Sequence, residues 1–303
     1  MQITMKHPII TSFGLAVLVG VSLVTPALAV VNIAWVPVGN AGNAADPSTG
    51  YGSVGYAYNI GKYEVTNNQY VDFLNAKGGS NSNGIYNASM ASYGIAQMGT
   101  PGSYSYSVTG GLENRPVVYV SWYDAARFTN WLGNGQGSGD METGAYTLSG
   151  NTGIVTVNPG TTVYLPSENE WYKAAYYNGG TSAYSLYPNG QNTITTADAN
   201  YLPGVGASTD VGSYGGDPSS YGTFDQGGNV LEMNDAVISG ASRGLRGGSW
   251  NNSVNVLQSS FRLNVNPSVE NDFIGFRVAS VPEPTSVVLA MFASGMLLIR
   301  RKR

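Results

Sequence analysis

The sequence predicts one compact α+β domain with much irregular backbone, and three observations carry that expectation. Three short helices announce themselves by their caps. Between them, brief strand-like runs alternate with stretches rich in Gly, Asn, Ser and Tyr. Charged residues make up 11% of the chain, against about 25% in ordinary globular proteins, which leaves little room for long charged helices.

The first helix opens at Thr66-Asn67-Asn68-Gln69, a capping-box pattern, with Tyr70, Phe73 and Leu74 on one face behind it. The second opens at Ser121, carries Ala125, Phe128 and Leu132 as its apolar stripe, and is expected to end at Gly133. The third opens at Ser167, with Trp171, Ala174 and Ala175 inward. Strand candidates are 54–60, 117–120, 161–165 and 273–278. Residues 78–112 read as a loop-rich insertion, and 133–160 as a segment holding a hairpin around Ser149-Gly150-Asn151.

The two ends read as signals rather than fold. In residues 1–29, Lys6 and His7 precede an apolar run, and Ala27-Leu28-Ala29 is a small-x-small cleavage site, as in a secretory signal peptide. In residues 281–303, Pro282-Glu283-Pro284 leads to an apolar run from Val287 to Ile299 and then to Arg300-Arg301-Lys302-Arg303. That run is shorter than the roughly 20 residues a spanning helix needs. The order of parts resembles the PEP-CTERM sorting tail of exported Gram-negative proteins. The resemblance implies transient inner-membrane retention, processing by an exosortase-type enzyme, and a final place at the cell surface or in the extracellular matrix. The fold is then expected within residues 31–280, a length sufficient for one large core.

Without Lys6, Arg300, Arg301, Lys302, Arg303 and Glu283, the body keeps 9 Lys and Arg against 17 Asp and Glu. An acidic body argues against nucleic acid and anionic membrane as partners and is compatible with divalent cations. There is no Cys, and the only His is His7. Residues 30–303 therefore offer neither thiol nor imidazole, which removes Cys nucleophiles, His bases and metal sites built on thiolate or imidazole.

A series of motifs runs through the body in order. Gly61-Lys62-Tyr63-Glu64-Val65-Thr66-Asn67 leads into the first helix, and Arg115-Pro116-Val117 precedes Ser121-Trp122. Next come Tyr164-Leu165-Pro166-Ser167-Glu168 with Glu170-Trp171, then Gly228-Asn229-Val230 with Glu232. Arg246-Gly247-Gly248-Ser249-Trp250 leads to Arg262 and finally Gly275-Phe276-Arg277. This ordered set, over roughly residues 33–279, resembles the formylglycine-generating enzyme / sulfatase-modifying factor family. The resemblance implies a variant of the C-type-lectin fold. Read by themselves, Trp122, Trp131, Trp171 and Trp250 are core candidates. Gly247-Gly248 marks backbone of positive φ, and Arg262 and Arg277 are expected as buried partners of carboxylates.

The family's reaction, as the resemblance implies it, uses copper held by two cysteines. The matching stretch here, 251–261, has none, and Ser259 stands about where one thiol would fall. A hydroxyl does not replace a soft thiolate, so no copper is expected. The resemblance also implies a structural calcium at 225–232, with Asp225 and Glu232 ligating by side chains and Gly228 and Val230 by carbonyls. Two carboxylates flanking a Gly-Gly turn suit that ion. A second calcium near Asn200, with Asp210 as a ligand, is a weaker match. The family's usual Trp-Glu-Trp is Leu231-Glu232-Met233 here.

Three functions stay open on this reading. The first is a non-catalytic binding module associated with exopolysaccharide or a surface protein, its exposed Tyr and Asn serving as contacts. The second is a diverged metal-dependent oxidase of the family. The third is a purely structural matrix protein.

Overall fold

The computed structural model describes residues 30–148, 153–215 and 218–282. The expected signal peptide, nearly all of the sorting tail and the Ser149-Gly150-Asn151 turn lie outside them.

In chain order the elements are β1 (Trp35–Val38), β2 (Tyr58–Gly61), α1 (Asn67–Lys77), β3 (Ile95–Met98), β4 (Ser105–Val108), α2 (Trp122–Gly133), β5 (Val163–Tyr164) and α3 (Glu168–Tyr176). They continue with β6 (Tyr177–Asn178), β7 (Ala183–Tyr184), β8 (Leu231–Ser239), β9 (Ser242–Arg246), β10 (Leu263–Val265), β11 (Ile274–Phe276) and β12 (Ala279–Ser280). One four-stranded sheet has the order β1-β2-β12-β5, which pairs the two ends of the domain. The other has the order β10-β9-β8-β11, with β11 parallel to β8. The α+β class is as expected.

All three helices begin with the capping boxes read from the sequence. Thr66, Ser121 and Ser167 each accept from the third helical amide, and Gln69, Asp124 and Glu170 reach back to the cap. Each box satisfies two amide donors that a helix start leaves orphaned. Tyr70, Phe73, Phe128 and Trp131 then meet between α1 and α2, with ring centroids 5.3–6.1 Å apart. Phe276 of β11 joins at 5.5 Å. Each fully buried ring contributes on the order of 2 kcal/mol through burial. This cluster fixes the helices against the second sheet.

Several expectations are corrected. Gly133 is the last helical residue of α2, and Asn134 is its cap. Leu132 of the expected stripe is half-buried and packs against the core beside the fully buried Trp131. Residues 117–120 form no strand, since Tyr119 adopts φ +59° and breaks the extension. The insertion 78–112 holds a 3-10 turn at Ala88–Tyr93 and the β3–β4 hairpin. Neither 145–148 nor 153–157 is in a strand. The longest pairing, β8 with β9, was not among the strand candidates; its register shifts break the period-2 pattern that would reveal it.

Candidate functional site: a buried carboxylate cluster and the adjoining cleft

The chain turns sharply just before β8. Asp225, Gly228 and Asn229 all have positive φ, at +60°, +91° and +58°. Gly228 is required there twice over. Its φ favours glycine, and a Cβ would lie 2.3 Å from the Asn200 carbonyl oxygen. The turn is pressed onto residue 200, where the Asn229 amide donates to the Asn200 carbonyl at 2.8 Å.

Beyond the turn, β8 carries Glu232 into the interior opposite Gly275 of β11. Two residues after Gly275, Arg277 grips Glu232 with both arms. Its Nε is 2.6 Å from Oε2 and its Nη2 is 2.6 Å from Oε1. Trp171 Nε1 also donates to Oε2 at 2.8 Å. The rest of the guanidinium donates to the carbonyls of Gly61, Lys62 and Phe224. Glu232 and Arg277 are both completely buried.

Glu64 and Asp225 complete the cluster. Glu64 Oε1 accepts from Asn229 Nδ2 at 3.1 Å, and Asp225 Oδ2 accepts from the Gly212 amide at 2.6 Å. Glu64 Oε2 lies 4.0 Å from Arg277 Nη2 and has no hydrogen-bond partner within the described protein. Two fully buried carboxyls and the half-buried Asp225 thus face one guanidinium. Burial, followed by the charges of Asp225 and Glu232, holds the Glu64 pKa well above the usual range. Burial likewise pushes Asp225 up to about 6, against the pull of the Gly212 amide and Arg277.

Of the expected calcium positions, Asp225, Gly228 and Val230 fall in this turn, and Glu232 is the second residue of β8. The Glu232 carboxylate is already fully engaged by Arg277 and Trp171, so it does not fit as a metal ligand. Among the described residues, no group of three or more Asp, Glu, His or Cys side chains is arranged to hold a metal ion. Asp225 also lines a cavity of about 20 Å³ together with Gln226 and Gly227, roughly the room of one water-sized species. Near the weaker second site, Asn200 is fully buried with Oδ1 unpartnered, while Asp210 is exposed.

A second acidic anchor organises the stretch that matches the family's thiol-bearing segment. Glu168 holds Arg246 through Nε at 2.8 Å and Arg262 through Nη2 at 2.6 Å. Arg246 in turn donates to the carbonyls of Ser259 and Phe261, at 2.8 and 2.7 Å. Ser259 is buried, and its amide donates to the Leu186 carbonyl. The residue is therefore a packed element of the backbone frame. Arg277 is the buried carboxylate partner expected, and the Gly247-Gly248 pair has the expected positive φ, +93° and +75°; Arg262 pairs with Glu168 but is half-buried rather than buried.

Trp250 departs from its core reading. Trp122, Trp131 and Trp171 are buried, but Trp250 is half-buried and lines a cleft of about 280 Å³. Tyr93, Leu112, Arg115 and residues 206–208 form the rest of its wall with Ser92. Asn229 ties this cleft to the carboxylate cluster: its carbonyl accepts from the Trp250 amide at 2.9 Å and its Oδ1 from the Thr209 amide at 2.9 Å. Tyr58, Tyr70, Tyr146, Tyr172 and Tyr176 are buried, so these five are not surface contacts. The sequence carried no signal for the cleft, because its wall gathers residues from four distant segments.

A model of the sulfatase-modifying factor enzyme 1-like domain matches residues 32–281. No curated protein sequence matches the chain. Among solved structures, variable protein 1 of Treponema denticola is 24% identical, covering 82% of this chain and 95% of its own, with a TM-score of 0.57. The protein CarF is 22% identical, covering 83% of this chain and 99% of its own, also at 0.57. At these identities the likeness is one of fold.

Proposed function

Because the chain belongs to the sulfatase-modifying factor enzyme 1-like family, we propose that it is a non-catalytic member which uses the Trp250 cleft to bind a ligand at the cell surface or in an exopolysaccharide matrix. The observation that carries this reading is the stretch beside the cleft. Residues 251–261 contain no thiol, and residues 30–303 contain no His. What stands there is a serine whose backbone is held by Arg246 and Leu186. A fold keeps its scaffold when its chemistry is lost, and function then rests on the site it presents.

Export is part of the proposal and rests on the sequence of the two ends. The Ala27-Leu28-Ala29 triplet and the Pro-Glu-Pro tail with its basic end support passage through the inner membrane, processing by an exosortase-type enzyme and surface release. The proposed calcium is narrowed by the geometry. Asp225 and the carbonyls of Gly228 and Val230 would hold it, while Glu232 serves Arg277. Bound there, the ion would supply positive charge to a cluster with more carboxyls than cations.

The purified protein is loaded with calcium and copper, freed of excess metal, and analysed for bound elements and for oxygen consumption with thiol peptides. The same preparation is tested for retention on isolated exopolysaccharide. Retention without copper and without oxygen uptake supports the reading. Stoichiometric copper or iron with oxygen consumption overturns it in favour of an oxidase.

A further inference from the structure

Six of the nine arginines lie among the described residues. Five have a carboxylate partner: Arg127 with Glu142, Arg243 with Asp235, Arg246 and Arg262 with Glu168, and Arg277 with Glu232. Arg115 has none. Its backbone is fixed, since its carbonyl accepts from the Asn67 amide at 2.9 Å and its amide donates to Leu112. Its side chain makes no hydrogen bond or ion pair among the described residues, and Nε is buried without a partner. In an acidic body where every other guanidinium is paired, this one lines the cleft beside Trp250.

An unpaired buried guanidinium donor costs free energy that a bound anion returns. Resting on the reading above that the cleft binds a ligand, we propose that it takes a uronic acid residue of an acidic polysaccharide, with Arg115 holding the carboxylate. The fork of a guanidinium matches a carboxylate in geometry and charge. The remaining wall suits a sugar ring: Trp250 and Tyr93 offer aromatic surface, Leu112 an apolar edge, and Ser92 and Ser208 hydroxyls. The space, about 280 Å³, accepts one such ring. A single cation in an acidic surface attracts one carboxylate and disfavours densely charged polyanions, because each further negative charge meets the surrounding field.

The test is titration of the purified protein with glucuronate and, separately, with glucose, followed by Trp fluorescence and calorimetry. Arg115→Gln and Arg115→Lys are run alongside, their folding checked by urea unfolding. Glucuronate binding that exceeds glucose binding at least tenfold, weakens with salt, drops at least tenfold in Arg115→Gln and is partly kept in Arg115→Lys supports the proposal. Equal binding of both sugars, or binding indifferent to Arg115→Gln, overturns the uronate assignment and leaves the binding-module reading standing. A peptide carboxy-terminus that binds where glucuronate does not also overturns it, and moves the ligand to a protein. Absence of all binding overturns it too; matrix retention then judges the broader reading by itself.

Discussion

Arg277 and Glu232 meet in a two-armed ion pair, 2.6 Å at each contact, with neither side chain reaching solvent. The pair joins the end of β11 to β8, and Trp171 of α3 closes over it. Glu64 and Asp225 stand behind it without a cation of their own. The balance of the whole cluster therefore hangs on one guanidinium.

Removing that guanidinium should be severe. Arg277→Ala leaves the buried Glu232 and Glu64 without their cation and is expected to destabilise the protein by about 3–5 kcal/mol, the range for breaking one side of a buried pair. Urea unfolding at neutral pH reads the loss. A change below about 1 kcal/mol would mean that the cluster is already neutralised by protons or by an ion.

Gly228 and Gly206 separate steric from conformational cost. Both have positive φ, but a Cβ at Gly228 meets the Asn200 carbonyl at 2.3 Å, whereas a Cβ at Gly206 meets open space. Gly206→Ala should cost about 1–2 kcal/mol, the left-handed penalty alone. Gly228→Ala should cost clearly more and disturb the Trp250 environment. Paired thermal melts check the difference, and equal losses would show that the 225–229 turn moves freely away from Asn200.

Asp124 gives a pH dependence of known sign. Burial raises its pKa to about 7 against an ordinary 3.8, while the Ser121 hydrogen bonds and Arg127 pull it down and Glu270 adds to the rise. Between pH 3.8 and about 7 the folded state holds more protons than the unfolded one, so this group's contribution falls as pH rises through that window. Asp124→Asn cannot titrate. Its stability relative to the wild type should therefore improve by about 2–4 kcal/mol between pH 4 and pH 8. A constant difference across that range would show that Asp124 ionises normally.

Ser167 sets the helix that carries Trp171. Its hydroxyl accepts from the Glu170 amide at 3.3 Å, and its own amide donates to Glu170 Oε2 at 2.8 Å. Ser167→Ala keeps the second bond and loses the first, so a loss of about 1 kcal/mol is expected. Ser167→Thr should restore most of it in the same unfolding assay.

The sequence by itself determined the α+β class, the three capped helices and the positive φ at Gly247 and Gly248. It also showed the missing thiols and imidazoles. These follow from local rules: a cap hydroxyl three residues before an acid or amide, a glycine where no Cβ fits, and a residue type that is present or absent. It also put Asp225, Gly228, Val230 and Glu232 within eight consecutive residues, the first three in the turn and Glu232 in β8. The tertiary structure decided which oxygens of that stretch are already spoken for. Whether Glu232 faces an ion or a guanidinium depends on Arg277, 45 residues away along the chain and brought alongside by parallel pairing. Only the fold could show that Arg115 is the one arginine without a carboxylate among the described residues, since counting charges says nothing about which of them meet. The cleft was hidden for the same reason: its wall is closed by segments near residues 93, 115, 207 and 250, and no local pattern encodes their convergence.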